Sequence, residues 1–131
     1  MNLINLSSDY QLYDLCDKLG VKNQVVCAKD ELKKYLKRPN IRNIIFNMSS
    51  TEIGSHWVAI DKKTKTYFDS YNELAPTVVP KDYKLSSLKK IQLQSIEAQD
   101  CGQLCCLFLY YSNFKTIKEF YALFKDCYSD I

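Results

Sequence analysis

The chain has 131 residues, 47% hydrophobic and 25% charged, a balance that excludes a disordered polymer and fits one domain around a single core. Its formal net charge of +3, from 18 basic and 15 acidic residues, is too small to imply a nucleic-acid partner on charge alone. No stretch approaches the roughly 18 uninterrupted apolar residues of a membrane span, and the first residues lack the basic region of a signal peptide.

In chain order, Ser8 or Asp9 can cap a helix whose apolar positions Leu12, Leu15, Cys16 and Leu19 share one face, with Gly20 as its stop. Asp30 is placed to cap a second, more basic helix that ends before Pro39. The pattern then changes. Segments 43–48, 57–60 and 66–68 are short and rich in β-branched or aromatic residues, which predicts strands. Two prolines and a serine pair make 75–90 a loop with at most one helical turn, and 90–93 reads as a fourth strand. Segment 101–111 is apolar almost all round, the composition of an interior helix. Thr116 can cap a last helix presenting Phe120, Leu123, Phe124 and Cys127 on one side. Helices, then strands, then helices predict an α+β architecture in a single domain, residues 1–131.

Without a secretory leader, the six cysteines are expected in a reducing setting, as buried thiols or reactive groups rather than cross-links. Cys16, Cys27, Cys105 and Cys106 read as packing. Cys101 differs because Asp100, Cys101 and Gly102 stand where loop becomes helix. The first helical turn offers unpaired N–H groups and the positive end of the dipole, both of which favour thiolate and could also donate to an oxyanion. Gly102 leaves room for a substrate backbone. The lysines at 29, 33, 34, 37 and again at 62, 63, 65, 81, 84, 89 and 90 read as a solvated surface.

His56 is the one histidine, and so the one imidazole available for proton transfer near neutral pH. A hairpin joining the second and third predicted strands through a two-residue loop (Lys62 and Lys63) or a four-residue loop over 61–64 sets His56 directly opposite Asp69. Directly opposed residues have Cβ atoms about 4.5–5.5 Å apart, within reach for a carboxylate that orients an imidazole.

Gly54 through Ile60 around His56 and Trp57, Tyr67 through Tyr71 around Asp69, Gln94, and the run from Asp100, Cys101 and Gly102 to Leu109 together resemble the adenovirus-type (adenain-like) maturation cysteine proteases. Related forms occur in virophages and virus-like DNA transposons, and the SUMO/ubiquitin-like deconjugating proteases are cellular cousins. The similarity spans 43–109, about half the chain.

The resemblance implies the papain-like, adenain-like fold: a central mixed sheet with helices on its faces and a buried helix starting at the nucleophile. It implies a triad of Cys101, His56 and Asp69, an oxyanion hole from the Gln94 amide and the Cys101 N–H, and Trp57 packed beside the site with Gly102 against substrate. Gln92 and Gln99 are competing amides, because the proline that the family usually has between glutamine and cysteine is missing. The acid is aspartate, as in the deconjugating proteases, where the adenovirus enzymes carry glutamate.

The expected activity is cysteine endopeptidase cleavage of viral capsid or core precursors by a monomer, without metal or cofactor, inside the virion or infected cell and away from membranes. No cysteine lies between Cys27 and Cys101 to tether an activating peptide, while DNA stays open as an activator. The alternatives are a deconjugase for ubiquitin-like proteins and an inactive binding domain of the same fold. A zinc site of His56, Cys101, Cys105 and Cys106 lacks the usual ligand spacing.

Overall fold

The computed structural model describes residues 9–48, 56–70, 75–86 and 101–123. Ser8, the strand expected over 90–93, Phe124 and Cys127 lie outside them.

Helix α1 (Asp9–Leu19) buries Leu12 and Cys16 completely and packs Leu15 and Leu19 at their edges. It ends at Gly20, whose φ of +81° is the left-handed conformation that a glycine enters without penalty. Gly20 N–H then bonds the Asp17 carbonyl and Val21 N–H bonds the Cys16 carbonyl, each at 3.0 Å, the paired C-terminal closure of a Schellman motif.

Strand β1 (Gln24–Ala28) was not expected. Val25, Val26 and Cys27 are buried on both faces, so they form a short apolar run without alternation, a pattern that does not separate strand from helix. Its outer edge is covered by α1: Val26 N–H donates to the Tyr13 hydroxyl at 2.9 Å, which occupies an edge group. A 3₁₀ turn (Lys29–Glu31) runs into α2 (Leu32–Leu36), which ends before Pro39. Asp30 does not cap it. That residue lies inside the 3₁₀ turn, and the Glu31 carboxylate instead accepts the Ala28 N–H at 3.1 Å.

Strands β2 (Asn43–Asn47), β3 (Trp57–Asp61) and β4 (Thr66–Phe68) fall where they were predicted. A two-residue strand, β5 (Lys84–Leu85), lies inside the expected loop, held by Lys84 N–H on the Lys65 carbonyl and Ser86 N–H on that of Tyr67. It is too short to carry a pattern. Among the described residues the sheet runs β1-β2-β3-β4-β5, parallel at both outer pairs and antiparallel within, so the architecture is α+β with a mixed five-stranded sheet.

Helix α3 (Cys101–Phe114) lies in the interior, as its composition predicted. With α1 and α4 (Ile117–Ala122) it covers the sheet face carrying Val26, Ile45, Trp57, Ala59 and Phe68. The opposite face, with Ile44, Phe46, Val58, Ile60 and Tyr67, packs on Leu32 of α2 and on Val79. The Thr116 hydroxyl accepts Glu119 N–H at 3.1 Å and caps α4 as expected. Of the face predicted there, Phe120 is buried whereas Leu123 is 50% exposed. Phe108 stacks on Phe68 at 4.9 Å and meets Phe120 edge-on at 5.6 Å, which pins both C-terminal helices to the sheet. Such ring pairs add about 0.5–1.5 kcal/mol each beyond the area they bury.

Candidate active site

β3 and α3 run side by side in the same direction, and each begins at the site. At one end, Trp57 N–H donates to Cys101 Sγ at 3.4 Å. At the other, the Ser112 hydroxyl donates to the buried Asp61 carboxylate. Twelve helical residues rise about 16 Å and five strand residues about 13 Å, so two attachments fit without bending either element.

The Asp61 end is a closed polar network. Arg42 gives two hydrogen bonds of 3.0 Å to its carboxylate, and Asn113 exchanges amide hydrogen bonds of 2.9 Å with Asn43. Burial pushes the Asp61 carboxyl up, but the Arg42 and Ser112 hydrogen bonds, the Arg42 charge and Lys63 N–H hold it below its ordinary value.

His56 is the residue before β3, and its carbonyl accepts Met48 N–H at 2.8 Å, which continues the β2–β3 ladder by one pair. Asp69 is the residue after β4. The hairpin between them differs from the expected one. Asp61 pairs with Thr66, so the loop spans 62–65 and every partner moves by two; on the extended ladder Asp69 falls opposite Val58. His56 and Asp69 are therefore diagonal neighbours rather than directly opposed.

The turn chemistry explains the shift. Lys65 takes the left-handed conformation, with φ +55°, and the Asp61 carboxylate accepts Lys63 N–H at 3.0 Å. Because the shift is even, both side chains keep the same face. The imidazole covers the longer diagonal: His56 Nε2 lies 2.5 Å from Asp69 Oδ1, with the His56 side chain 18% exposed and that of Asp69 only 2%.

Nε2 is thereby committed to the carboxylate, and the buried Nδ1 is the nitrogen left to serve Cys101. Burial alone would lower the proton affinity of the ring. Hydrogen bonds to Asp69 and then to Cys101, followed by their charges, override it and raise the His56 pKa from 6.5 to about 9. The imidazolium is the favoured form over the neutral range. It faces the Cys101 sulfur at the first residue of α3, which accepts the Trp57 N–H.

The other two thiols of α3 are held in their neutral form. Burial, then the nearby Cys101 and Asp69, push the Cys105 thiol well up. Cys106 is pushed up by its contact with Cys16, whose sulfur lies 3.5 Å away, and by burial. Both stay protonated and unreactive. Among the described residues Cys16, Cys27, Cys101, Cys105 and Cys106 form no disulfide.

The structure thus brings His56, Asp69 and Cys101 together from three elements. Trp57 is buried at 3% exposure, and its amide touches the sulfur, a contact for which the sequence carries no signal. Gly102 is buried in the first turn of α3. Gln94, with its competitors Gln92 and Gln99, lies outside the described residues, as do Gly54, Ser55, Tyr71 and Asp100. Among the described residues no group of three or more His, Cys, Asp or Glu is arranged to hold a metal ion, and no helix is long and apolar enough to cross a membrane. No family model, curated protein or solved structure matches this chain.

Proposed function

We propose that the protein is a cysteine endopeptidase of the papain-like, adenain-like type, with Cys101 as nucleophile, His56 as acid–base and Asp69 as the orienting carboxylate. The observation that carries this reading is the His56 ring, bound to Asp69 at 2.5 Å, on the residue before the Trp57 amide that bonds the sulfur of Cys101 at the start of a buried helix. In the reaction, the Cys101 sulfur attacks the scissile carbonyl carbon and the resulting oxyanion takes the N–H of Cys101, with Gln94 as the proposed second donor. The C–N bond breaks as imidazolium passes its proton to the leaving amine, leaving a thioester. Water, deprotonated by the neutral ring, then hydrolyses the thioester and returns the proton to His56. Side chains and water suffice for every step.

By the same resemblance, we assign as substrates viral capsid or core precursors, cleaved by a monomer within the virion or infected cell. Aspartate as the acid favours a second reading, a deconjugating protease acting after the tail of a ubiquitin-like protein. Co-expression with a viral capsid precursor, set beside incubation with a ubiquitin-like tail substrate, separates the two. Processing that disappears in Cys101→Ala supports the first reading. Cleavage of a ubiquitin-like tail substrate and not of the precursor supports the second. Failure of Cys101 to react with a peptide vinyl ester, with His56→Ala unchanged from the parent, overturns both.

A further inference from the structure

We propose that Ser112 and Asn113 are positioning residues for Cys101, a role that rests on the reading of Cys101 and His56 as a catalytic pair. Through the buried Asp61 carboxylate and the Asn43 amide they set where α3 stands along β3, and with it the place of the sulfur beside the imidazole. The rest of α3 does this poorly. The helix buries Cys105, Cys106, Phe108 and Leu109 among apolar neighbours from α1, α4 and the sheet. Apolar burial has no direction, and small thiols pack adaptably. Phe108 and Phe68 stack at 4.9 Å, but such ring contacts stay favourable between about 4.5 and 7 Å. This surface tolerates a slide of about 1 Å, whereas a misplacement of that size at reacting atoms can cost about 100-fold in rate.

The far end of the helix is held by directional bonds instead. The Ser112 hydroxyl donates to the Asp61 carboxylate, and the next residue, Asn113, exchanges amide hydrogen bonds of 2.9 Å with Asn43. Asn43 and Asp61 are direct partners in the β2–β3 ladder, so two adjacent residues of the helix meet two adjacent residues of the sheet. Successive helical residues are turned by about 100°, so the two contacts together fix the rotation of α3 as well as its height. The receiving groups are themselves held. Asp61, at 0% exposure, takes two hydrogen bonds of 3.0 Å from Arg42 and one of 3.0 Å from Lys63 N–H. The Asn43 amide also donates to the Lys22 carbonyl at 2.8 Å. Asp61 ends the strand whose first amide, that of Trp57, bonds the sulfur, so one strand gauges both ends of the helix. Stability alone does not call for a charge here, because apolar groups of similar size in place of a buried ionic cluster are often neutral or stabilising. A fully satisfied polar network specifies one arrangement, which is what the thiol needs.

Two measurements without substrate and one with it test the proposal on the full chain, below the melting temperature of every variant. His56 is the one histidine, so its ring gives a single NMR titration. Burial lowers the His56 pKa, and hydrogen bonds to Asp69 and then Cys101 raise it to about 9. In Ser112→Ala/Asn113→Ala the sulfur is displaced, so the titration midpoint should fall below that of the parent. Alkylation of Cys101 by iodoacetamide should slow by about 10- to 100-fold, while Cys105 stays unmodified because the labelled protein is folded. Peptide hydrolysis should lose a similar factor in kcat, with KM within about twofold. Ser112→Ala alone should show part of each effect, and Ser112→Thr, which keeps the hydroxyl, should stay within about threefold of the parent. Phe120→Leu loosens the aromatic packing of α4 away from these bonds; it should lower the melting temperature and leave the rates within about twofold. The proposal is overturned if the double variant keeps the parent titration and alkylation rate or, where that variant does not fold, if Ser112→Ala keeps both. It is also overturned if Phe120→Leu slows alkylation equally, or if Ser112→Thr is as slow as Ser112→Ala. Shifts as expected in a protein that hydrolyses no peptide would support the placement of the sulfur and overturn the peptidase reading. Peptide hydrolysis unchanged in Ser112→Ala/Asn113→Ala would do the reverse.

Discussion

The backbone amide of Trp57 donates to the sulfur of Cys101 at 3.4 Å, so the strand that begins just after the imidazole also holds the proposed nucleophile. A backbone donor fixed by a sheet cannot rotate away as a side chain can. Its position is set by the β2–β3 ladder, where Trp57 pairs with Asn47, and by the Ser112–Asp61 contact that docks the other end of α3. Thiol, imidazole and carboxylate are therefore aligned by secondary structure.

Thiol chemistry separates Cys101 from its neighbours. One equivalent of iodoacetamide at neutral pH is expected to modify Cys101 and to spare Cys105 and Cys106, both fully buried and held protonated. Peptide mapping by mass spectrometry checks this. His56→Ala should slow Cys101 modification and peptide hydrolysis by about 10²–10⁴-fold, the usual contribution of a positioned acid–base. Equal labelling of Cys105 would contradict the assignment.

The pH dependence follows from the raised His56 pKa. In the proposed mechanism the ring must hold a proton to give to the leaving amine, so kcat/KM for peptide hydrolysis should fall on the alkaline side with a limb near pH 9. Asp69→Asn removes the largest of the effects that raise this pKa and should move the limb to lower pH. Stability carries the same sign. Because the folded-state pKa lies above the unfolded one, the contribution of His56 is complete below about 6.5 and is lost as pH rises through about 9. Urea midpoints at pH 6 and pH 9.5 should differ in the parent protein and differ less in His56→Ala.

Local signals were legible where one residue type has one physical use. Gly20 marked a left-handed helix end, Thr116 a cap, and the all-apolar run after Cys101 an interior helix. The hairpin register was legible only in its parity. The residue in the left-handed position is Lys65, where glycine or asparagine would have revealed the turn, so the turn centre was placed one residue early and each cross-strand partner two residues off. β1 stayed hidden because its buried run does not alternate, and β5 because two residues hold no period. Asp30 looked like a cap, but the side chain that reaches back to the chain is that of Glu31. At the site the residue types were readable, whereas a backbone donor such as Trp57 N–H is present at every non-proline position and is singled out only by the fold.

Removing the guanidinium should cost more than removing both charges. Arg42→Ala leaves the Asp61 carboxylate at 0% exposure without its cation, and loss of one partner of a buried pair typically costs about 3–5 kcal/mol. Adding Asp61→Asn to Arg42→Ala removes the stranded charge and keeps an oxygen for the Ser112 hydroxyl and Lys63 N–H, so part of the loss should be recovered. Denaturant unfolding of the two single variants and the double variant measures this coupling. Additive losses would show that the ion pair does not act as a unit.

Gly20 gives a test in which backbone and sterics separate. A Cβ built there meets nothing nearer than Phe114 Cε2 at 4.0 Å, an ordinary contact, so space does not oppose a side chain. The φ of +81° does. Gly20→Ala should therefore destabilise the protein by about 1–2 kcal/mol through backbone strain alone. Asparagine, which tolerates the left-handed region better, should cost less than alanine despite being larger. Thermal or urea unfolding of the two variants orders them. A greater loss for asparagine would mean that crowding against Phe114, rather than the Schellman closure of α1, sets the requirement for glycine.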